Sequence, residues 1–285
     1  MTGGVRPQPA LYRRPPLRWE WTAIGRAVLP YALPPLVAIV LAGIAWEVWV
    51  EVADVSKFVI PRPTAVLSAL FGDFGFFVQE GLRTFGVAFG GLAIGTAAAL
   101  LLATLMAHSL WLERALLPLA IMIKVTPIVA VAPLFIIWFG FDWQPKVAIA
   151  ALITYFPVLI NGIVGLRDVD PRALDFFRSL HASPWEIYRS LRLPSALPYL
   201  FAALKIAATL SLTGAVVAEF FSAGQGGLGS VIAIANRDLR LDRLFAAVVM
   251  LAAIGVLLNV AIALIERWGL SWHRTALTVE DRRRA

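Results

Sequence analysis

Residues that could carry chemistry are sparse in this 285-residue sequence, and their spacing excludes most catalytic centres. There is no cysteine, which removes a thiol nucleophile, a disulfide framework and a thiolate metal site. His108, His181 and His273 stand in separate segments without metal-ligand spacing. The string GQGGLG at 224–229 has the spacing of a dinucleotide fingerprint, but that fingerprint works between a strand and a helix. Here it follows a long apolar run, so it reads as a glycine-rich outer turn leading into an interfacial segment. No G-x-x-x-x-G-K-[ST] occurs, so if ATP drives this protein another subunit binds it.

What remains are polar residues inside apolar runs. Lys124 lies about nine residues into its run, where an ionised group costs on the order of 3 kcal/mol at the bilayer centre. It either snorkels to the interface or stands as a positive group on the route of a polar or anionic solute. Asn161, Ser211, Thr213 and Asn259 either hydrogen-bond between helices or line such a route. Glu219, near the outer end of its run, is a solvated end residue or a gate contact. Lys205 lies near the inner end of the same run. Thr126 and Thr154 are hydroxyls placed to satisfy backbone freed by nearby prolines, and Thr126 with Trp138 completes the set of candidate pathway residues.

The elements that must position these residues are membrane helices. Sixty per cent of residues are hydrophobic, 15% are charged and the mean hydropathy is +0.79, values far from those of a soluble domain. Apolar runs near 28–50, 82–107, 115–139, 146–166, 197–221 and 244–266 each reach the roughly 20 residues that span a bilayer. The sequence is therefore expected to be an all-α membrane protein with six transmembrane helices. Residues 1–27 read as a basic, proline-rich tail, since that region is too long for a signal peptide and the run after it can span; 28–268 is the transmembrane domain and 269–285 a second basic tail. Gly86, Gly90, Gly91 and Gly95 predict close packing of the second helix. Pro118, Pro127, Pro133 and Pro157 predict bends in the third and fourth.

Between the fourth and fifth runs lies a polar hairpin. Asp170 before Pro171 is a helix start with proline at the first position, and Ser183-Pro184-Trp185-Glu186 is a capping box. Two short helices are expected, over 171–180 and 184–192, the second ending before Pro194. With connections assigned alternately, sixteen basic residues fall on the side of this hairpin and both tails, against seven on the other. The positive-inside rule places the hairpin and both termini in the cytoplasm. Basic flanks of this kind account for the net charge of +7, and no nucleic-acid partner is expected.

The hairpin resembles the permease signature of binding-protein-dependent ABC importers: Asp175-Phe176-Phe177, then His181, then Leu191-Arg192-Leu193-Pro194. Two phenylalanines stand where that family has a small pair, and His181 where it has glycine. Ala132-Pro133-Leu134-Phe135, Trp138-Phe139-Gly140, Ala196-Leu197-Pro198-Tyr199 and Gly227-Leu228-Gly229 are similar to the nitrate, sulfonate and taurine permease group. The similarity spans about 60–268, and the third and fourth helices look closest to permeases for thiamine-pyrimidine precursors or riboflavin.

The resemblance implies a transport subunit of a bacterial cytoplasmic membrane, with no catalytic residue, metal or cofactor of its own and with ATP and Mg used by a partner. It implies a homodimer of permeases, two ATPase subunits and a periplasmic or lipid-anchored solute-binding protein. It also makes the hairpin a coupling helix that docks on the ATPase through Leu174, Asp175, Phe176, Phe177, Arg178, Leu180, His181, Ala182, Ser183 and Trp185. Leu174, Phe177 and His181 at i, i+3 and i+7 form an apolar face for a groove, with Leu180 alongside. A secondary transporter would need a midplane acid and inverted repeats, and a membrane enzyme a convergent acid–base pair; neither is found. Sparse charge with Trp138, Phe139, Tyr155 and Phe156 favours a flat heterocycle as solute over a sulfonate, taurine or nitrate.

Overall fold

The computed structural model describes residues 21–222 and 224–270, and all regular structure there is helical. Residues 1–20 and 271–285, His273 among them, and with them most of both expected basic tails, lie outside the described residues. The helices run in chain order α1 (Trp21–Val52), α2 (Pro63–Gly72), α3 (Phe74–His108), α4 (Leu110–Val125), α5 (Ile128–Phe139), α6 (Trp143–Arg167), α7 (Pro171–Ser179), α8 (Pro184–Ile187), α9 (Leu193–Phe221), α10 (Leu228–Arg237) and α11 (Leu241–Gly269).

The helix α1 belongs to a compact unit of its own that ends at Ala53. Its apolar stretch, Leu33–Val52, is long enough to span. It begins at Trp21, ahead of the expected start at 28.

In the second unit α6 is the central helix, packed between α3 and α9. Lipid supplies no hydrophobic drive between helices, so close approach of small residues must hold them together. Ala99, Ala103, Ala196, Ala203 and Ala207 accordingly lie fully buried against Val158, Leu159 and Leu166 of α6. Of the four α3 glycines, Gly91 and Gly95 carry the expected close approach. A Cβ at Gly95 would stand 2.7 Å from the Ala151 carbonyl oxygen of α6, whereas one at Gly86 would meet nothing.

Among the described residues five helices are long and apolar enough to cross a membrane, and the sixth expected span is α4 plus α5, broken by 98°. Proline at 127 lacks an amide hydrogen and pushes its predecessor out of helical geometry, so Thr126 sits at ψ 124° and Pro127 at ψ 112°. Pro118, Pro133 and Pro157 remain inside continuous helices. The short helix α10 occupies the expected interfacial segment, and α2 was not foreseen.

The expected stop before Pro194 is not observed. Residues Tyr188–Arg192 form a π-helical turn, with the Leu193 amide donating to the Tyr188 carbonyl, and the chain continues directly into α9. The widened turn re-registers the backbone bonds just before the proline, whose missing donor then falls in the first turn of α9, where it costs little. The hairpin and its transmembrane helix are thus one continuous rod from Pro184 to Phe221.

Candidate functional site

Both caps of the hairpin form as the local sequence requires. The Asp170 carboxylate accepts from the Arg172 amide at 2.9 Å. The Ser183 hydroxyl accepts from the Glu186 amide, and the Glu186 carboxylate accepts from the Ser183 amide at 2.7 Å. Between the caps α7 closes in a Schellman turn: the Ala182 amide donates to the Phe177 carbonyl and the His181 amide to that of Arg178. This turn needs a left-handed residue after the cap, and His181 takes that conformation at φ 56°. A glycine pays no Cβ penalty there. The variant His181→Gly is expected to stabilise the turn by about 1 kcal/mol, read as roughly fivefold slower amide hydrogen exchange over 171–183. Exchange unchanged from wild type would contradict this.

The apolar groups the hairpin turns outward are Phe176, Leu180 and Trp185, which are 61%, 63% and 66% exposed. Leu174 and Phe177 are half-buried, as is Ala182, and His181 is exposed. The outward face is therefore built on the i, i+4 pair Phe176 and Leu180, one helical step round from the face expected. Asp175 and Arg178 form an exposed ion pair at 3.4 Å, worth at most about 1 kcal/mol.

The hairpin is rooted in the bundle by directed contacts. Trp185 stacks on Tyr188 at 5.6 Å, and the Tyr188 hydroxyl lies 3.1 Å from that of Thr104 on α3. Arg167, at the end of α6, donates to the Met106 carbonyl and to the Glu113 carboxylate, tying together the ends of α3, α4 and α6. Tyr199 of α9 donates to Asp168 just before the hairpin.

Four of the seven candidate pathway residues converge on one cavity. It has a volume of about 690 Å³ and opens where α4 breaks from α5, with α6 and α9 as its other walls. Lys124, Thr126, Asn161 and Thr213 line it, together with Phe156. Trp138 lies elsewhere on α5, largely exposed and against Phe135. Ser211 is buried and donates to the Ala208 carbonyl at 2.8 Å. Lys205 pairs with Glu266 of α11, and Asn259 donates to Thr209 of α9, so both are spent on joining helices.

Glu219 is neither a solvated end nor part of that cavity. It is 1% exposed, at the far end of the bundle from the hairpin, in a polar cluster that sequence reasoning missed. Its carboxylate accepts from the Thr84 hydroxyl and the Gly229 amide, both at 2.9 Å. The Thr84 oxygen in turn accepts from the Leu228 amide at 2.8 Å, and Glu80 accepts from the Gly227 amide. Two carboxylates and a hydroxyl from α3 and α9 thus cap the first turn of α10, whose own N-cap residue is a glycine at φ 97°. A side chain at Gly227 would collide with the Glu219 carboxylate.

Lys146 offsets the acidic charge. It is one of the seven basic residues on the side opposite the hairpin, yet it is 5% exposed and donates to the carbonyls of Gln225 and Gly226 at 3.3 and 3.4 Å. The signal in the sequence is that Glu80 and Lys146, opposite in sign, each sit close to the start of an apolar run, while the glycine-rich turn at 224–229 has no side-chain cap of its own.

The family described as binding-protein-dependent transport system inner membrane component matches residues 91–268. A riboflavin transport system permease protein of Chloroflexus aurantiacus is 36% identical over 90% of this chain and 92% of its own length. A putative aliphatic sulfonates transport permease protein of Escherichia coli is 32% identical over 86% of this chain and 92% of its own. Among solved structures, the inward-facing MetNI methionine ABC transporter aligns with a TM-score of 0.60 at 18% identity, covering 68% of this chain and 96% of the matched chain.

Proposed function

On the premise that the chain belongs to the family of inner-membrane components of binding-protein-dependent transport systems, we propose that the α7–α8 hairpin is where it receives the work of ATP hydrolysis. The membrane subunit of an ABC importer is the role the family gives it. The observation that carries the finer reading is the outward face of Phe176, Leu180 and Trp185 on a doubly capped hairpin. Three large apolar groups exposed together on so short a segment match the anchors of a helix-in-groove contact. An ATPase subunit is the partner, since this chain has no phosphate-binding loop of its own.

The continuous rod from Pro184 to Phe221 supplies the lever. A push on the hairpin reaches the far end of α9 without crossing a loop, and there α9 holds α10 through Glu219. Rigid-body rocking of such rods is the transition that alternating access requires. The hairpin side faces the cytoplasm, following its excess of basic residues, with both termini on that side. Two copies of the permease, two ATPases and an external solute-binding protein form the working assembly.

The solute is a small heterocycle such as riboflavin or a thiamine pyrimidine precursor, in keeping with the riboflavin permease above and with a cavity that holds one cation and an aromatic wall. Sulfonate or taurine is the alternative reading, in keeping with the sulfonate permease at 32% identity.

Reconstitution tests the role. Proteoliposomes holding the permease and its ATPase, with binding protein and solute outside, are expected to accumulate solute only when ATP is enclosed on the hairpin side. Uptake by the permease in vesicles without any ATPase would overturn the reading. The ligand carried by the binding protein decides the solute class, and a bound sulfonate or nitrate would sink the heterocycle assignment.

A further inference from the structure

The helix α4 climbs from the hairpin end of the bundle to its middle. Near its start Glu113 meets Arg167 at the end of α6, and two turns further on the Ala120 carbonyl accepts from the Tyr155 hydroxyl, midway along α6. Its last turn carries Lys124 beside Phe156, and there α4 breaks from α5 by 98°. In a bilayer α4 therefore crosses one leaflet and stops.

One face of α4 is bare over that whole climb. Trp111, Arg114, Pro118, Ile121 and Val125 recur at the three- and four-residue spacing of a single helical face, and all five are exposed. From Arg114 to Val125 the helix advances about 16 Å, at about 1.5 Å per residue, half of the roughly 30 Å of hydrocarbon. A shallow groove of about 580 Å³ runs beside this stripe, lined by Glu113, Arg114, Leu117, Pro118 and Ile121.

The charge of the stripe is confined to one end. Among the described residues Arg114 forms no ion pair, whereas Glu113, the groove's other charged group, is offset by Arg167 at 2.7 Å. Ser109 caps the same end of α4, and the N-terminal end of a helix adds to the attraction for an anion. An indole such as that of Trp111, which is 75% exposed, settles at headgroup depth. A guanidinium meets two phosphate oxygens at once. Below them the face presents only hydrocarbon side chains.

We propose that this face of α4 binds one anionic phospholipid, with the phosphate on Arg114 and an acyl chain in the groove along Leu117, Pro118 and Ile121. The occupant is a lipid and not a soluble phosphate, because the cation stands at the head of an apolar track as long as one leaflet is deep. A second copy packed through the same stripe would bring two unpaired Arg114 side chains together, like charge on like. The leaflet is the cytoplasmic one, whose surface is anionic; that assignment rests on the orientation proposed above, and the site itself needs only that α4 lies in a membrane.

The test uses the purified full-length permease in neutral detergent, with retained lipid counted by native mass spectrometry. Phosphatidylglycerol and phosphatidylcholine with matched chains are added in equal amounts. One phosphatidylglycerol per permease is expected, preferred about fivefold, the worth of one basic residue at an anionic surface. In Arg114→Gln the preference should vanish. In Arg267→Gln, which removes an exposed basic residue in the last turn of α11, it should persist. Ile121→Trp, which fills the groove, should lower retention of both lipids several-fold. Glycerol 3-phosphate, a headgroup without a chain, should displace neither. Equal retention of the two lipids by wild type would overturn the proposal, as would an unchanged preference in Arg114→Gln or an equal loss in Arg267→Gln. Displacement by glycerol 3-phosphate would make the ligand a soluble anion, and disulfide linkage between two copies of Ile121→Cys in lipid would put a second copy on this face; either result overturns the assignment. Lipid preference in a chain that supports no ATP-driven uptake would uphold the site and remove only the transport reading.

Discussion

Replacement of Glu219 by alanine is expected to destabilise the protein by about 3–5 kcal/mol, the cost of breaking a buried charged network by removing one partner. The Gly229 amide and the Thr84 hydroxyl lose their acceptor, and Lys146, 5% exposed, loses a neighbouring counter-charge. Each buried donor left unpaired costs about 1–3 kcal/mol by itself, so the sum does not depend on any single bond. Thermal unfolding of the purified protein in lipid nanodiscs should show a midpoint lowered by roughly 10 °C. Because the carboxylate caps α10 from α9, protection of the α10 amides should fall first. Glu219→Gln keeps an acceptor for both donors and removes only the charge, so its loss should be less than half as large. A melting curve for Glu219→Ala that superimposes on wild type would show that α10 is held by its apolar contacts alone, through Leu228, Val231 and their neighbours on α2, α3 and α11.

The largest functional effect is expected at the hairpin. In Phe176→Glu combined with Leu180→Glu, two charges replace the outward apolar pair, while the caps and the Schellman turn are untouched. Apolar anchors at the centre of an interface are each worth about 2 kcal/mol or more, so affinity for the ATPase should fall by at least about a hundredfold. ATP-driven uptake should drop to background. Since both side chains are exposed, the thermal stability of the isolated permease should not change. Wild-type uptake and co-purification of the ATPase with this variant would remove the hairpin from the coupling path. Disruption of the Asp175–Arg178 pair alone is a useful contrast: it is exposed on both sides, and its own stability contribution lies within about 1 kcal/mol.

How much of this was legible beforehand depends on the range of the interactions concerned. The spanning helices follow from runs of apolar residues, and the hairpin caps from Asp170-Pro171 and from Ser183 to Glu186, because each is satisfied within four residues of chain. The need for glycine at position 181 was likewise local, a left-handed turn after the end of α7, and His181 adopts it at a cost. The break at Pro127 was marked by the proline, which expected a bend; its angle of 98° was not marked, since it is set by what packs on each half. The continuation of α8 through Pro194 ran against local preference. There the π turn at Tyr188–Arg192, anchored through Tyr188 to Thr104 on α3, prevailed over the proline's tendency to end a helix.

The sites themselves divide in the same way. By itself the sequence determined that the chain spans a membrane in about six helices, that a capped polar hairpin interrupts them, and that no nucleotide-binding loop is present. Only the tertiary structure decided which polar residues meet. Lys124, Asn161 and Thr213 come from three helices to one cavity, whereas Ser211, two residues before Thr213, is turned into the packed core. Thr84 and Glu219 are 135 residues apart, and their hydrogen bond exists only because α3 and α9 both pack on α6 and bring their far ends to α10. Hydrophobicity and capping are properties of a few neighbouring residues and survive in the linear text. The satisfaction of a buried charge depends on donors brought from other helices, which only the packed bundle brings together.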